Sequence, residues 1–148
     1  MLDKSFKETS PGVYYAQEPL AIDSHIVDFL LENMIARHLH LARICLHMSH
    51  SSPLMSMLVA VTNKYVYPPH KHDWKDENYT IIRGSCDFLQ YFPDGSIRST
   101  LRLDEGSSFL NLARDFHTLL PLTDPLVFLE CTTGPYTGQP NITLDPND

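Results

Sequence analysis

Hydrophobic positions along the chain change period once. Ile22, Ile26, Phe29, Leu30, Met34 and Ile35 recur at three- and four-residue steps, which predicts an amphipathic helix over 22–37. Asp23 or Ser24 can cap its start, and Arg37 and His38 suit the negative end of its dipole. Beyond it, short apolar runs punctuated by turn residues predict strands at 41–48, 54–62, 65–72, 77–83, 86–92 and 97–103. Three more follow at 109–112, 117–120 and 126–131. Pro93-Asp94-Gly95-Ser96 reads as a hairpin turn, with Pro pre-setting φ and Gly accepting a positive one. Short strands at near-regular spacing predict an all-β sandwich or small barrel carrying the helix outside. Residues 1–20 form an N-terminal segment, 21–40 the helix, 41–138 the barrel, and the Pro- and Asn-rich stretch 139–148 a loose tail.

Period two also places the chemistry. His70 and His72 are two apart on a predicted strand, so both imidazoles leave the same face. With Glu77 arriving from the next strand, they can supply three ligands to one divalent metal. The same parity puts Arg43, Cys45 and His47 opposite Ile44, Leu46 and Met48. If the apolar set meets the helix, the polar set faces the barrel interior. A buried guanidinium needs a partner, either a protein carboxylate such as Glu130 or a bound carboxylate or phosphate. Tyr79 shares parity with Glu77 and lines the same interior, and Tyr65, Tyr67 and Trp74 add an aromatic wall suited to sugars or to core packing. His38, His40 and His50 read as exposed turn residues, and Asp73, Asp76 and Asp115 as solvated loop charges.

The run His70-Lys71-His72, Glu77, Gly84 follows H-x-H-x4-E-x6-G and resembles the first motif of the cupin superfamily, with Lys64 where that motif opens on glycine. Gly106 and His117 match its second motif, which carries Pro, Gly and Asn where this chain has Leu112, Arg114 and Pro121. Blocks from Arg43 to Tyr136 are similar to the WbuC-type cupin metalloproteins. They include Arg43-Ile44-Cys45-Leu46-His47, Lys75 with Glu77, Asp94-Gly95-Ser96-Ile97, Phe116-His117-Thr118 and Glu130-Cys131-Thr132-Thr133-Gly134-Pro135-Tyr136. That resemblance implies a single jelly-roll barrel with one divalent transition metal on His70, His72, Glu77 and His117, the last being the only histidine after His72. Zn, Fe, Mn and Ni all suit such ligands. It further implies a homodimer, and a small-molecule substrate, a sugar or an organic anion, drawn from surface-polysaccharide or sugar metabolism. Arg43, His47 and Tyr79 are the candidate substrate contacts. No catalytic residue is assigned, which leaves isomerase, lyase and dioxygenase chemistry open beside a non-catalytic metal and carbohydrate-binding module.

Composition narrows the partners. At 148 residues the chain suits one domain, and a net charge of −7 with 11 Lys plus Arg disfavours nucleic acid and anionic membranes. No apolar run approaches the roughly 20 residues that span a bilayer, and residues 1–12 carry no signal-peptide core. Cys45, Cys86 and Cys131 are odd in number and widely spaced, which predicts buried free thiols in the cytoplasm. Glycine-rich phosphate loops and a nucleophile elbow are absent.

Overall fold

Alternation of side chains on two facing sheets builds the molecule, whose computed structural model describes residues 5–144. An N-terminal hairpin, β1 (Phe6–Ser10) and β2 (Val13–Ala16), precedes helix α1 (Ser24–Ala36). Next come β3 (Leu41–Cys45), β4 (Leu54–Val61), β5 (His70–Lys71), β6 (Glu77–Arg83) and β7 (Ser85–Tyr91). The chain closes with β8 (Ile97–Asp104), β9 (Ser108–Asn111), β10 (Phe116–Pro121), β11 (Leu126–Thr133) and β12 (Ile142–Thr143). One sheet orders β1-β2-β3-β4-β11-β6-β9 and the other β12-β5-β10-β7-β8.

Strand β4, inside the larger sheet, is buried on both faces, which is why 58–61 is an unbroken apolar run. Leu58, Ala60, Ile44 and Val127 point outward and pack with Leu30, Met34 and Val27 of α1. Val59, Val61, Ile81 and Phe128 point inward and pack with Phe88, Leu103 and Leu119 of the second sheet. The helix is capped as expected by Asp23, whose Oδ1 accepts from the Ile26 amide at 3.0 Å. Arg37 at its far end pairs with Glu8 and donates to the Tyr14 hydroxyl, tying the N-terminal hairpin to the helix.

Several expectations change. Ile35, placed on the apolar stripe, is 63% exposed, and Met48, placed against the helix, is 58% exposed. Both lie where their element has ended or is ending: α1 stops at Ala36, and β3 stops at Cys45. The strand expected over 65–72 shrinks to His70–Lys71 because Pro68 and Pro69 bring no amide N–H to a ladder. Residues 6–16 of the N-terminal segment form the β1–β2 hairpin, with β2 parallel to β3. In the tail expected to lie loose, Ile142 and Thr143 pair with Lys71 and His70.

Two turn positions explain motif residues. Gly84 has φ +92, and a Cβ there would lie 2.1 Å from Thr123 Oγ1, which accepts the Ser85 amide. Arg114 has φ +74 while its amide donates to the His72 carbonyl at 2.6 Å. The second motif carries glycine at that position, and an L-residue there pays roughly 1 kcal/mol. Urea denaturation is therefore expected to show Gly84→Ala destabilising by about 2 kcal/mol or more, and Arg114→Gly stabilising by about 0.5–1 kcal/mol. Equal stabilities would refute the steric account.

Candidate metal centre

Both sheets contribute to one buried polar cluster. His70 on β5 stands beside His117 on β10, their Cα positions directly paired, while His72 follows β5. Glu77 opens β6 in the opposite sheet and reaches the same point. All four side chains are buried, His117 being 1% exposed and Glu77 2%. One ligand nitrogen from each of His70, His72 and His117 lies within 4.8 Å of the others. Glu77 Oε1 is 3.2 Å from His72 Nε2, and Oε2 is 2.9 Å from His117 Nε2.

Backbone carbonyls fix the rings. His70 Nδ1 is 2.8 Å from the Pro68 carbonyl and His117 Nδ1 is 2.9 Å from that of Asp115. A carbonyl only accepts, so both Nδ1 atoms carry the proton and both Nε2 atoms keep a free lone pair, the tautomer a metal requires. Asn111 Nδ2 adjoins His117 Nδ1 at 3.1 Å, and its Oδ1 is held by Gln90. The Tyr79 hydroxyl lies 3.4 Å from His117 Nε2. Lys75 Nζ grips Glu77 Oε1 at 3.0 Å. His72 Nε2 and Glu77 Oε2 are buried with no hydrogen-bond partner. Buried polar atoms without a partner are costly, and a cation shared by all four side chains would satisfy them together. Nitrogens about 2.1 Å from one ion in tetrahedral geometry sit about 3.4 Å apart, so a trio spread over up to 4.8 Å closes by at most about 1.4 Å. The donor set fits a divalent metal.

The centre opens into a cavity of about 420 Å³. Arg43, Cys45 and His47 line it, which settles their direction: they face inward, while Ile44 and Leu46 pack toward the helix. Tyr65, Tyr67, Trp74 and Tyr79 line it as well. The expected Arg43–Glu130 ion pair does not form among the described residues. The remaining histidines split: His40 bonds Thr62, and His50 meets Tyr15 and Tyr136 at the cavity's edge. Among the described residues no second histidine cluster of this kind occurs. Asp115 pairs with Arg98 and Asp76 accepts from the Ala113 amide, so both brace loops.

Glu130, which the sequence offers only as a partner for Arg43, stands opposite Tyr79 on β11 beside β6 and lines the cavity. The signal was available: a lone carboxylate inside the apolar run 126–131, with alternation placing it inward. Burial, then repulsion from Glu77, pushes the Glu130 carboxyl up to about 7. Glu77 moves the other way: burial would raise it, but contacts with His117 and His72 and the Lys75 charge hold it well below the usual range. Burial, then the neighbouring His117, pushes His70 down to about 4.

These shifts have opposite linkage. The unfolded chain protonates His70 first, so its stabilisation is complete above about pH 6.5 and is lost as pH falls toward 4. Glu130 is raised, so its stabilisation is present below about pH 4.5 and is lost as pH rises through 7. Between pH 4.5 and 6.5 the two offset one another. In metal-stripped Glu130→Gln protein, urea denaturation should reveal stability falling by about 2 kcal/mol from pH 6.5 to 4.5. A flat profile in that variant would contradict a neutral, buried His70.

Comparison with known proteins agrees with this architecture. Solved structures similar to the chain include KdgF from Halomonas sp., at 19% identity and a TM-score of 0.53, covering 64% of this chain and 78% of that one. A cupin superfamily protein from Desulfitobacterium hafniense aligns at 13% identity and a TM-score of 0.52, covering 63% and 76%. Oxalate decarboxylase from Lactobacillus farciminis aligns at 18% identity and a TM-score of 0.52, covering 63% of this chain, which spans only 27% of that enzyme. At such identities the likeness establishes the fold, a cupin jelly roll with its helix outside. A search among curated proteins gives no match. The model of one family, described as a domain of unknown function, matches residues 22–103, and the chain belongs to that family, DUF6016.

Proposed function

We propose that the protein is a small metal-dependent cupin enzyme, its divalent ion held by His70, His72, Glu77 and His117. The observation that carries this is the convergence of three buried imidazoles and Glu77, in which His72 Nε2 and Glu77 Oε2 make no hydrogen bond and the carbonyl partners of His70 and His117 leave Nε2 free. When bound, Zn, Fe, Mn or Ni would supply a Lewis acid that polarises a substrate oxygen or activates water or dioxygen. The chain's own residues do the rest. Lys75 fixes the Glu77 carboxylate, Tyr79 and the Asp115 carbonyl fix His117, and the apolar wall around Phe88 and Phe128 excludes water. Glu130 stands where it can take or give a proton to a molecule in the cavity.

The substrate is a small molecule, with Arg43, His47 and Tyr79 as contacts. Sugar or surface-polysaccharide metabolism, as in the WbuC-type cupins, is supported by the sequence blocks from Arg43 to Tyr136 and by the aromatic lining. That same lining of Tyr65, Tyr67 and Trp74 favours a second reading, a non-catalytic metal and carbohydrate-binding module, since sugars stack on such rings. Free Cys45, Cys86 and Cys131 support the cytoplasm. No helix among the described residues is long and apolar enough to cross a membrane. A homodimer is proposed from the open sheet edges at β1, β9 and β8, which pairing would cover.

Three measurements bear on this reading. Elemental analysis of purified protein should find about one equivalent of transition metal, and almost none in the His70→Ala, His72→Ala double variant. Full metal content in that variant would overturn the centre. Sedimentation at micromolar concentration should show a dimer, and a lone 16.9 kDa species would oppose it. NMR of reducing sugars and sugar nucleotides with metal-loaded protein should reveal turnover that Glu130→Gln slows at least about tenfold. Binding without turnover would select the module.

A further inference from the structure

The wall of the cavity away from the histidine cluster holds two donors with no acceptor. Arg43 Nε is buried and bonds to nothing. His47, 7% exposed, likewise leaves Nε2 buried and unpartnered. Its other nitrogen decides which tautomer it holds. Nδ1 lies 3.2 Å from the Ser56 amide and 3.1 Å from the Ser56 carbonyl. That carbonyl already accepts from the Leu46 amide at 2.8 Å. The Ser56 N–H projects to the same side of β4 as its carbonyl and needs an acceptor, which Nδ1 provides. His47 Nδ1 therefore accepts, and its proton sits on Nε2, aimed into the cavity.

Two orphaned buried donors four residues apart on one face call for an acceptor that the protein does not supply. Glu130 is near enough for the Arg43 charge to be felt but forms no ion pair with it. We infer that this wall binds the carboxylate of an oxygen-rich organic acid: Arg43 Nε–H donates to the carboxylate, and His47 Nε2–H to a further oxygen of the same molecule. A carboxylate fits better than a phosphate because the cavity lining holds two cations, Arg43 and Lys75, and Lys75 is already paired with Glu77 at 3.0 Å. A dianion beside Glu130 would be left partly uncompensated. The inference rests on the proposed function only in turning the far end of the acid toward His70, His72 and His117, which line the same cavity. In the folded protein each donor would then be satisfied as buried donors normally are.

Calorimetric titration with D-gluconate and with D-glucuronate, both monoanions, tests this, using D-glucose and inorganic phosphate as controls, on metal-loaded and metal-stripped protein. At least one acid should bind wild type with Kd of about 1 mM or tighter, and more tightly than either control. Arg43→Met should weaken that binding at least about tenfold with metal content unchanged, and Arg43→Lys, which keeps the charge but loses the planar N–H edge, should weaken it too. The Arg43-dependent binding should survive metal removal. Acid binding by protein that never holds metal would sink the metal reading and leave this one standing. Metal-loaded protein that binds neither acid at about 10 mM, or that binds phosphate or glucose equally well, would overturn this one alone. Wild-type affinity in both Arg43 variants would do the same. Should the variants fail to fold, nitrogen-15 NMR of wild-type His47 decides: an Nε2–H tautomer is expected, and Nδ1–H would refute the donor assignment.

Discussion

The candidate metal centre depends on backbone carbonyls that hold two imidazole rings in one tautomer. Pro68 and Asp115 each take the Nδ1 proton of a histidine, at 2.8 and 2.9 Å, and so aim two unprotonated nitrogens at a common point. Free rotation or the other tautomer would present N–H groups there instead, and the carboxylate of Glu77 would meet a ring of donors. With the rings fixed, His72 Nε2 and Glu77 Oε2 are left buried without a hydrogen bond. In a site walled by Phe88, Phe128 and Leu119, a cation shared among the ligands would relieve that cost.

The fold serves this arrangement by bringing two sheets to one spot. Three of the polar side chains come from β5, its continuation and β10, and the fourth from β6 in the facing sheet. Pro68-Pro69 shortens β5, yet Pro68 is also the residue whose carbonyl orients His70. The chain's last described residues then cover β5: Thr143 pairs with His70 and the Leu144 amide donates to Pro69. Burying the His70 strand on both edges keeps its ring in place and its pKa low.

Much of this was legible in the residues. Strand β6 runs Glu77–Arg83 as alternation predicts, because one face of it is buried and the other is not. His70, His72 and Glu77 meet as their spacing implies, His117 joins them as the cupin resemblance implies, and Arg43, Cys45 and His47 turn inward. What was not legible depends on register. The β1–β2 hairpin is short and largely exposed, so Lys7, Glu8 and Thr9 show no apolar alternation. Glu130 lies inside an apolar strand, and its proximity to Glu77 follows from β11 pairing with β6, with Thr132 opposite Glu77. No period in the sequence states that pairing. The missing Arg43–Glu130 bond is likewise a matter of three-dimensional distance.

The most direct test of the central claim is diffraction from crystals of metal-loaded protein, recorded on either side of the metal's absorption edge. The account predicts a single strong anomalous peak bounded by His70 Nε2, His72 Nε2, His117 Nε2 and a Glu77 oxygen, each about 2.0–2.3 Å away. A peak elsewhere on the molecule, or none between the three imidazoles in protein that carries metal, would contradict it.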